Sequence, residues 1–333
     1  MKLRKDSIKN ILIIRRNNIG DMICAIPMFR TLRKAFSDAR ITVLAEESNA
    51  GIIERASFID ETIVFKKSQG LFGNKYLGYH KLLKQTGISF DLVITAKAGF
   101  SSMLALISLI SGARLRMGCV PDTWHPLKYC YNLPVKGCSR WRSLHQVDGL
   151  MEFIKTLGIE TIVNDMSIDI TPDSKDRAGI FLNKHGLRNN TVVFNISNNK
   201  PENTWPVEKF KETAGLISRD HDAAFIISSS PGDREKAVGL SKGIANAYYY
   251  ETRTVMDFAA LVAESDMLLC GEGGAMHVGS GVKTPTISLW GKLRPVKWTP
   301  YGEKQIVLKK SEHVDSISAE DVLEVIRENN LLK

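Results

Sequence analysis

The chain has 333 residues, about twice the length that one compact domain takes, so two cores with a cleft between them are expected. A composition of 44% hydrophobic and 24% charged residues, with no repeat and no low-complexity tract, excludes disordered, collagenous and solenoid proteins. The net charge of +9 points to an anionic partner: nucleic acid, a phosphate-bearing small molecule or an acidic membrane face.

The longest apolar stretch, Met103 to Ile110, is far short of the roughly 20 residues that span a bilayer. The opening Met1-Lys-Leu-Arg-Lys leads into only Ile11 to Ile14 before Arg15 and Arg16. Neither a transmembrane helix nor a signal peptide is expected, and the protein reads as cytoplasmic. Cys24, Cys119, Cys130, Cys138 and Cys270 form no C-x-x-C pair and read as reduced thiols; their spacing does not suit a zinc knuckle, and no metal is expected.

In chain order, β-rich runs alternate with helical periodicity, the pattern of parallel α/β sheets. The first half offers strands at Ile11 to Arg15, Ile41 to Leu44, Thr62 to Phe65 and Leu92 to Thr95, and helices at Phe29 to Phe36 and Met103 to Ile110. A second sheet begins after Thr171-Pro-Asp. It has a helix near Lys175 to His185 and strands at Val192 to Ile196, Phe225 to Ser228, Ala247 to Tyr250, Met267 to Leu269 and Thr286 to Leu289. Helices begin at Pro206, Asp233 and Thr254, and both Thr254-Val-Met-Asp257 and Ser318-Ala-Glu-Asp321 have capping-box form. The boundary is expected between Leu157 and Pro172, giving domains 1–165 and 166–333. The last helix needs a surface for Val322, Leu323, Val325 and Ile326, and the first domain is one candidate.

Ligands of open α/β sheets collect beyond the carboxyl ends of the strands, and two loops there are unusual. Asn17-Asn-Ile-Gly-Asp21 follows the first strand and lacks the G-x-G-x-x-G fingerprint, which argues against a nicotinamide or flavin enzyme. Cys270-Gly-Glu-Gly-Gly-Ala-Met-His277-Val-Gly-Ser-Gly281 can present backbone N–H groups and a helix N-terminus to a phosphate, or it can be a tight turn that needs glycine.

Taken together, these loops resemble glycosyltransferase family 9, the heptosyltransferases that build the inner core of lipopolysaccharide. Ile11 to Pro27 with Leu32-Arg33 resembles the family's first strand, its G-D loop and the proline-containing helix. Leu268 to His277, Thr284-Pro285 and Leu289-Trp-Gly291 resemble its D-[TSG]-G-x-x-H segment and the strand beyond. Ala113 to Gly118, Thr204-Trp205-Pro206 and Trp298 to Gly302 fall at the expected places, so the ordered matches span nearly the whole chain.

The resemblance implies the GT-B architecture: two Rossmann-like domains facing each other across a cleft, acceptor on the first and nucleotide sugar on the second. It implies an inverting transfer of heptose from ADP-heptose to a lipopolysaccharide-type acceptor, with no cofactor and no metal. Asp21 takes the place of the general base, whereas without the resemblance it reads as a helix cap after Gly20. The donor set carried over is Glu272, Gly273, Gly274 and His277, with Asp233 near the ribose and Thr204, Lys200 and Asn203 toward the phosphates. Two positions depart from the family. Asn203 stands where a lysine is common, and Glu272 stands where Asp is usual, which puts donor affinity and identity in doubt.

The acceptor side is basic. Between Lys97 and Val147, Lys97, Arg114, Arg116, Lys128, Lys136, Arg140 and Arg142 face the single acid Asp122, interleaved with Trp124, Tyr129, Tyr131 and Trp141. On composition this suits single-stranded nucleic acid. With the resemblance it suits an anionic glycolipid acceptor held by Asn18, Arg114, Arg116, Arg140 and Arg142, a monomer touching the inner membrane surface, and no nucleic acid. Two alternatives stay open: a sugar-nucleotide or glycan-binding protein of the same fold with weakened catalysis, and a transferase using another nucleotide sugar.

Overall fold

The computed structural model describes residues 4–66, 75–187, 189–292 and 297–333. The chain forms two compact α/β units. The first takes the chain up to Asp169 together with Lys297 and Trp298, and the second takes the remainder.

In the first unit, strands β1 (Asn10–Ile14), β2 (Arg40–Glu46), β3 (Glu61–Phe65), β4 (Leu92–Thr95), β5 (Leu115–Cys119) and β6 (Leu133–Val135) pair in parallel in the order β3-β2-β1-β4-β5-β6. Helices α1 (Ile19–Ile23), α2 (Ile26–Ala35), α3 (Lys75–Gln85), α4 (Ser102–Ile110) and α5 (Gln146–Lys155) accompany them. The central strands β1 and β4 are continuous apolar runs buried on both faces, as a helix-covered parallel sheet requires. Strands β5 and β6 add to the four read from sequence. Leu115-Arg-Met-Gly-Cys119 has no clean apolar alternation, and β6 carries Pro134, which an edge strand tolerates.

The second unit repeats the plan with β7 (Thr191–Asn195), β8 (Ala224–Ser228), β9 (Ala247–Tyr249), β10 (Met267–Gly271), β11 (Thr286–Trp290) and β12 (Gln305–Lys309) in the order β12-β11-β10-β7-β8-β9. Its helices are α6 (Pro172–Lys184), α7 (Val207–Asp220), α8 (Arg234–Lys242), α9 (Val255–Ala263), α10 (Gly274–Val282) and α11 (Ala319–Glu328). Both capping boxes form: the Asp257 N–H donates to Thr254 Oγ1 at 3.1 Å, and the Asp321 N–H donates to Ser318 Oγ at 3.2 Å. Helix α11 packs on α7 and buries Val322, Leu323 and Ile326 in the core of this unit, so its apolar face is covered without recourse to the first unit. Each unit is thus a Rossmann-like sheet of the type paired in GT-B enzymes.

The reading of five reduced thiols is corrected. Cys119 and Cys138 form a disulfide with Cα atoms 6.1 Å apart, while Cys24, Cys130 and Cys270 are buried outside any disulfide. The register explains the pairing: Cys119 lies opposite Val135 on β6, and Cys138 follows three residues later.

Candidate functional site

In the first unit the strand order reverses at β1, with β2 on one side and β4 on the other, so the loops after β1 and β4 flank a switch point where such sheets bind ligands. The loop after β1 turns through Asn17, whose φ of 86° lies in the left-handed region, and Asn18 then caps α1. Asp21 sits in the first turn of α1, where its carboxylate accepts the Asn18 N–H at 3.4 Å. The cap reading of Asp21 therefore holds, but it is not the whole account. Arg15, buried at the end of β1, places Nη2 3.1 Å from Asp21 Oδ1 and donates Nε to the Asp21 carbonyl at 2.7 Å. Its Nη1 donates to the Ala96 carbonyl beyond β4 at 2.6 Å. One guanidinium thus ties both switch-point loops together and fixes the carboxylate. Burial pulls the Arg15 pKa down and Asp21 pulls it back up.

Lys297 joins this edge. Burial and the neighbouring Lys97, Arg142 and Arg15 cations hold its ammonium below the ordinary lysine value, against the pull of Asp21. Lys297 thus lies within electrostatic reach of Asp21, Arg15, Lys97 and Arg142. Sequence reading counted Lys97 and Arg142 in the basic segment but missed Arg15, taken as a strand residue, and Lys297. The one signal for Lys297 was its place beside the Trp298 to Gly302 match. Asn18 lies here as the cap of α1, and Arg140, two residues before Arg142, is exposed with its guanidinium 5.1 Å from the Trp141 ring. Arg114 and Arg116 are not brought here. They stand at the amino end of β5, and Arg116 donates to the Cys130 carbonyl at 2.7 Å and the Ala113 carbonyl at 3.0 Å, bracing the chain before β6.

In the second unit the order reverses at β7, between β8 and β10. The loop after β10 runs through Glu272 and Gly273 into α10, whose first residue is Gly274. Gly273 has φ 157° and ψ −155°, a conformation that only glycine takes at ease. Gly271 is needed for a different reason: a Cβ there would meet Asn198 Nδ2 at 2.9 Å and the Asn203 carbonyl at 3.0 Å. The loops after β7 and β10 are that close. Asn198 Nδ2 donates to the Glu272 carbonyl at 2.7 Å, and the buried Asn203 donates its amide to the Glu272 carboxylate. The two positions that depart from the family are bonded to each other. Burial raises the Glu272 pKa, with Lys200 and Asn203 opposing.

Lys200 is exposed, with its N–H on Asn198 Oδ1 at 3.0 Å, and Thr204 Oγ1 donates to the Lys200 carbonyl at 3.3 Å. Asp233 accepts Ser197 Oγ at 2.8 Å and Ser230 Oγ at 3.2 Å; the Ser197 bond is the largest of the effects that lower its pKa. It thereby links the loops after β7 and β8. His277 lies inside α10 and is only 4% exposed. Trp205 is buried, donates Nε1 to the Ile317 carbonyl at 3.1 Å and anchors the entry to α7. The half-buried start of α10, with the positive end of its dipole, suits a diphosphate.

Comparison with known proteins agrees with this geometry. The chain is 22% identical over 318 residues to the lipopolysaccharide core heptosyltransferase OpsX of Haemophilus influenzae, covering 94% of this chain and 87% of that one. Among solved structures, a family 9 glycosyltransferase of Veillonella parvula superposes with a TM-score of 0.86 at 22% identity, covering 99% of this chain and 98% of that one. The Escherichia coli heptosyltransferase WaaC with ADP-2-deoxy-2-fluoro heptose superposes with a TM-score of 0.78 at 20% identity, covering 96% and 99%. The sequence profile of glycosyltransferase family 9 (heptosyltransferase) matches residues 79–326. With two Rossmann-like units, a carboxylate at one switch point and a glycine-led helix at the other, this chain is a glycosyltransferase and belongs to that family.

Proposed function

We propose that the protein transfers a heptose from ADP-heptose to an anionic acceptor of the lipopolysaccharide inner core, by single displacement with inversion, on the inner face of the inner membrane. The observation that carries the reading is Asp21, a carboxylate at the first unit's switch point, paired with the buried Arg15, with Lys297 in its reach and Lys97 and Arg142 in the reach of Lys297. A cap alone needs no buried arginine on its carboxylate, and the cations around Lys297 suit an acidic acceptor. In the reaction, Asp21 takes the proton of the acceptor hydroxyl as it attacks the anomeric carbon, and the bond to the diphosphate breaks on the opposite face. The N–H groups of Gly273 and Gly274, the dipole of α10 and Lys200 receive the charge of the leaving ADP, and no metal enters the step. Arg142, Lys97, Lys297 and Arg140 meet the acceptor's carboxylates or phosphates. ADP-heptose as donor rests on the relatives, one of which binds a fluorinated ADP-heptose.

A second reading has its own observation. The Asn203 to Glu272 bond occupies an amide and a carboxylate where the family pattern leaves a lysine for the phosphates, which favours a transferase of the same mechanism with another nucleotide sugar.

Asp21→Asn keeps the cap and tests the base. Turnover should fall by about 10² to 10⁴ while donor binding stays within about twofold. Near-normal turnover would remove Asp21 from the mechanism. Thermal shifts across ADP-, UDP-, GDP- and CMP-sugars should be largest with ADP-heptose; a larger shift with another nucleotide decides for the second reading.

A further inference from the structure

The two most exposed large hydrophobic side chains that face solvent in the first unit, Trp124 at 72% and Tyr129 at 71%, lie five residues apart. Trp124 precedes the short 3-10 helix Pro126–Cys130, which carries Tyr129 and packs on α4 through Leu127 and Cys130 against Ala105 and Leu106. Leu109 is 48% exposed. It stands four residues after Ala105 and three after Leu106, on the stripe of α4 that this short helix covers, one turn further along. Helix α4 contains no charged residue, and its outer positions Leu106, Leu109 and Ile110 reach partial or full exposure. Apart from Ser102 in its first turn, the outer side of the helix is apolar, which is out of place against water.

Cations border these side chains. Lys128 lies 5.1 Å from the Tyr129 ring, and the exposed Arg114 follows the end of α4. Arg114 is a residue that the Asp21 edge does not use. The nearest acid in sequence is Asp122.

We propose that Trp124, Tyr129 and Leu109 form a membrane-docking face that seats at the headgroup boundary of an anionic bilayer, with Lys128 and Arg114 on the lipid phosphates. Trp and Tyr rings settle at that depth because one edge is apolar and the other donates a hydrogen bond, and each nearby cation adds attraction to an anionic leaflet. Single-stranded nucleic acid also takes aromatic and basic residues, but it has no use for an exposed leucine on an uncharged helix, whereas the acyl boundary does. The proposal deepens the reading of a glycolipid acceptor by naming how the enzyme reaches it, yet its test needs neither donor nor acceptor.

The full chain is mixed with vesicles of phosphatidylcholine containing phosphatidylglycerol, or of phosphatidylcholine alone, free of any glycolipid. Wild type should partition onto the anionic vesicles, and Trp124→Ala with Tyr129→Ala should lower that partition by about tenfold or more. Vesicles with brominated acyl chains locate the contact. Trp141, Trp205 and Trp290 are buried, and the half-buried Trp298 is removed as Trp298→Phe in both proteins, so quenching should be mostly lost when Trp124→Phe is added. Equal partition of wild type and the double variant, or undiminished quenching in Trp124→Phe, overturns the proposal. So does a double variant that loses binding to a single-stranded RNA oligonucleotide but not to vesicles. Vesicle binding that persists in a protein inactive with ADP-heptose leaves the docking face standing and removes the proposed heptose transfer instead.

Discussion

Glu272 shows how one methylene changes a site. Its longer side chain reaches the buried Asn203 amide, and burial raises its pKa above the ordinary 4.5. A carboxyl whose folded pKa is raised keeps its proton while the unfolded chain has already lost one, so folding stability falls as pH climbs from about 4.5 through the folded value, and the loss then persists at neutral pH. Glu272→Gln keeps an acceptor for Asn203 and removes the buried charge. Its Tm should exceed that of wild type at pH 7 to 8, and the difference should shrink toward zero near pH 4. A difference that stays constant across that range would mean the carboxylate carries no such cost. Lys297 makes the complementary point about what a sequence discloses: nothing local marks it, since only the fold sets it beside a carboxylate 276 positions earlier.

Among elements, the central strands were legible because a parallel strand covered on both faces must be a run such as Asn10-Ile-Leu-Ile-Ile14. The capping boxes of α9 and α11 were legible because their partners are three residues apart. Strand β5 and the edge strands β6 and β12 were not. An edge is half solvated, so Gln305-Ile-Val-Leu-Lys309 is only partly buried throughout and β6 tolerates a proline. The disulfide escaped for the same reason, because it depends on the unread β5 to β6 register. It ties the end of β5 to the turn that carries Arg140 and Arg142. Closing 19 residues of chain stabilises by about 3 kcal/mol in the loop-entropy account, so Cys138→Ser should lower stability by that order. Alkylation of the denatured, unreduced protein should modify Cys24, Cys130 and Cys270 only; five modified cysteines would show the pair to be open.

At the scale of the molecule, each unit has a core of its own, one around Leu12, Tyr79 and Ile107 and the other around Phe194, Phe225 and Ile326. Two cores predict two thermal transitions. ADP should raise the transition of the second unit by mass action and leave the other in place, because the proposed diphosphate contacts, Gly273, Gly274 and Lys200, all belong to the second unit. Calorimetry with and without ADP checks this, and equal shifts of both transitions would place the nucleotide elsewhere.

The path of the chain also decides how this protein can be recombined. Lys297 and Trp298 belong to the first unit although they are encoded inside the second. A chimera that joins the front half of one relative to the back half of another near Asp169 looks modular, yet it carries a foreign residue to the edge of Asp21. An altered acceptor preference in such a hybrid would then be credited to the wrong half. Grafting the parental Lys297 and Trp298 back into the swapped segment restores a clean exchange, and the contrast between the two hybrids measures what those two residues do.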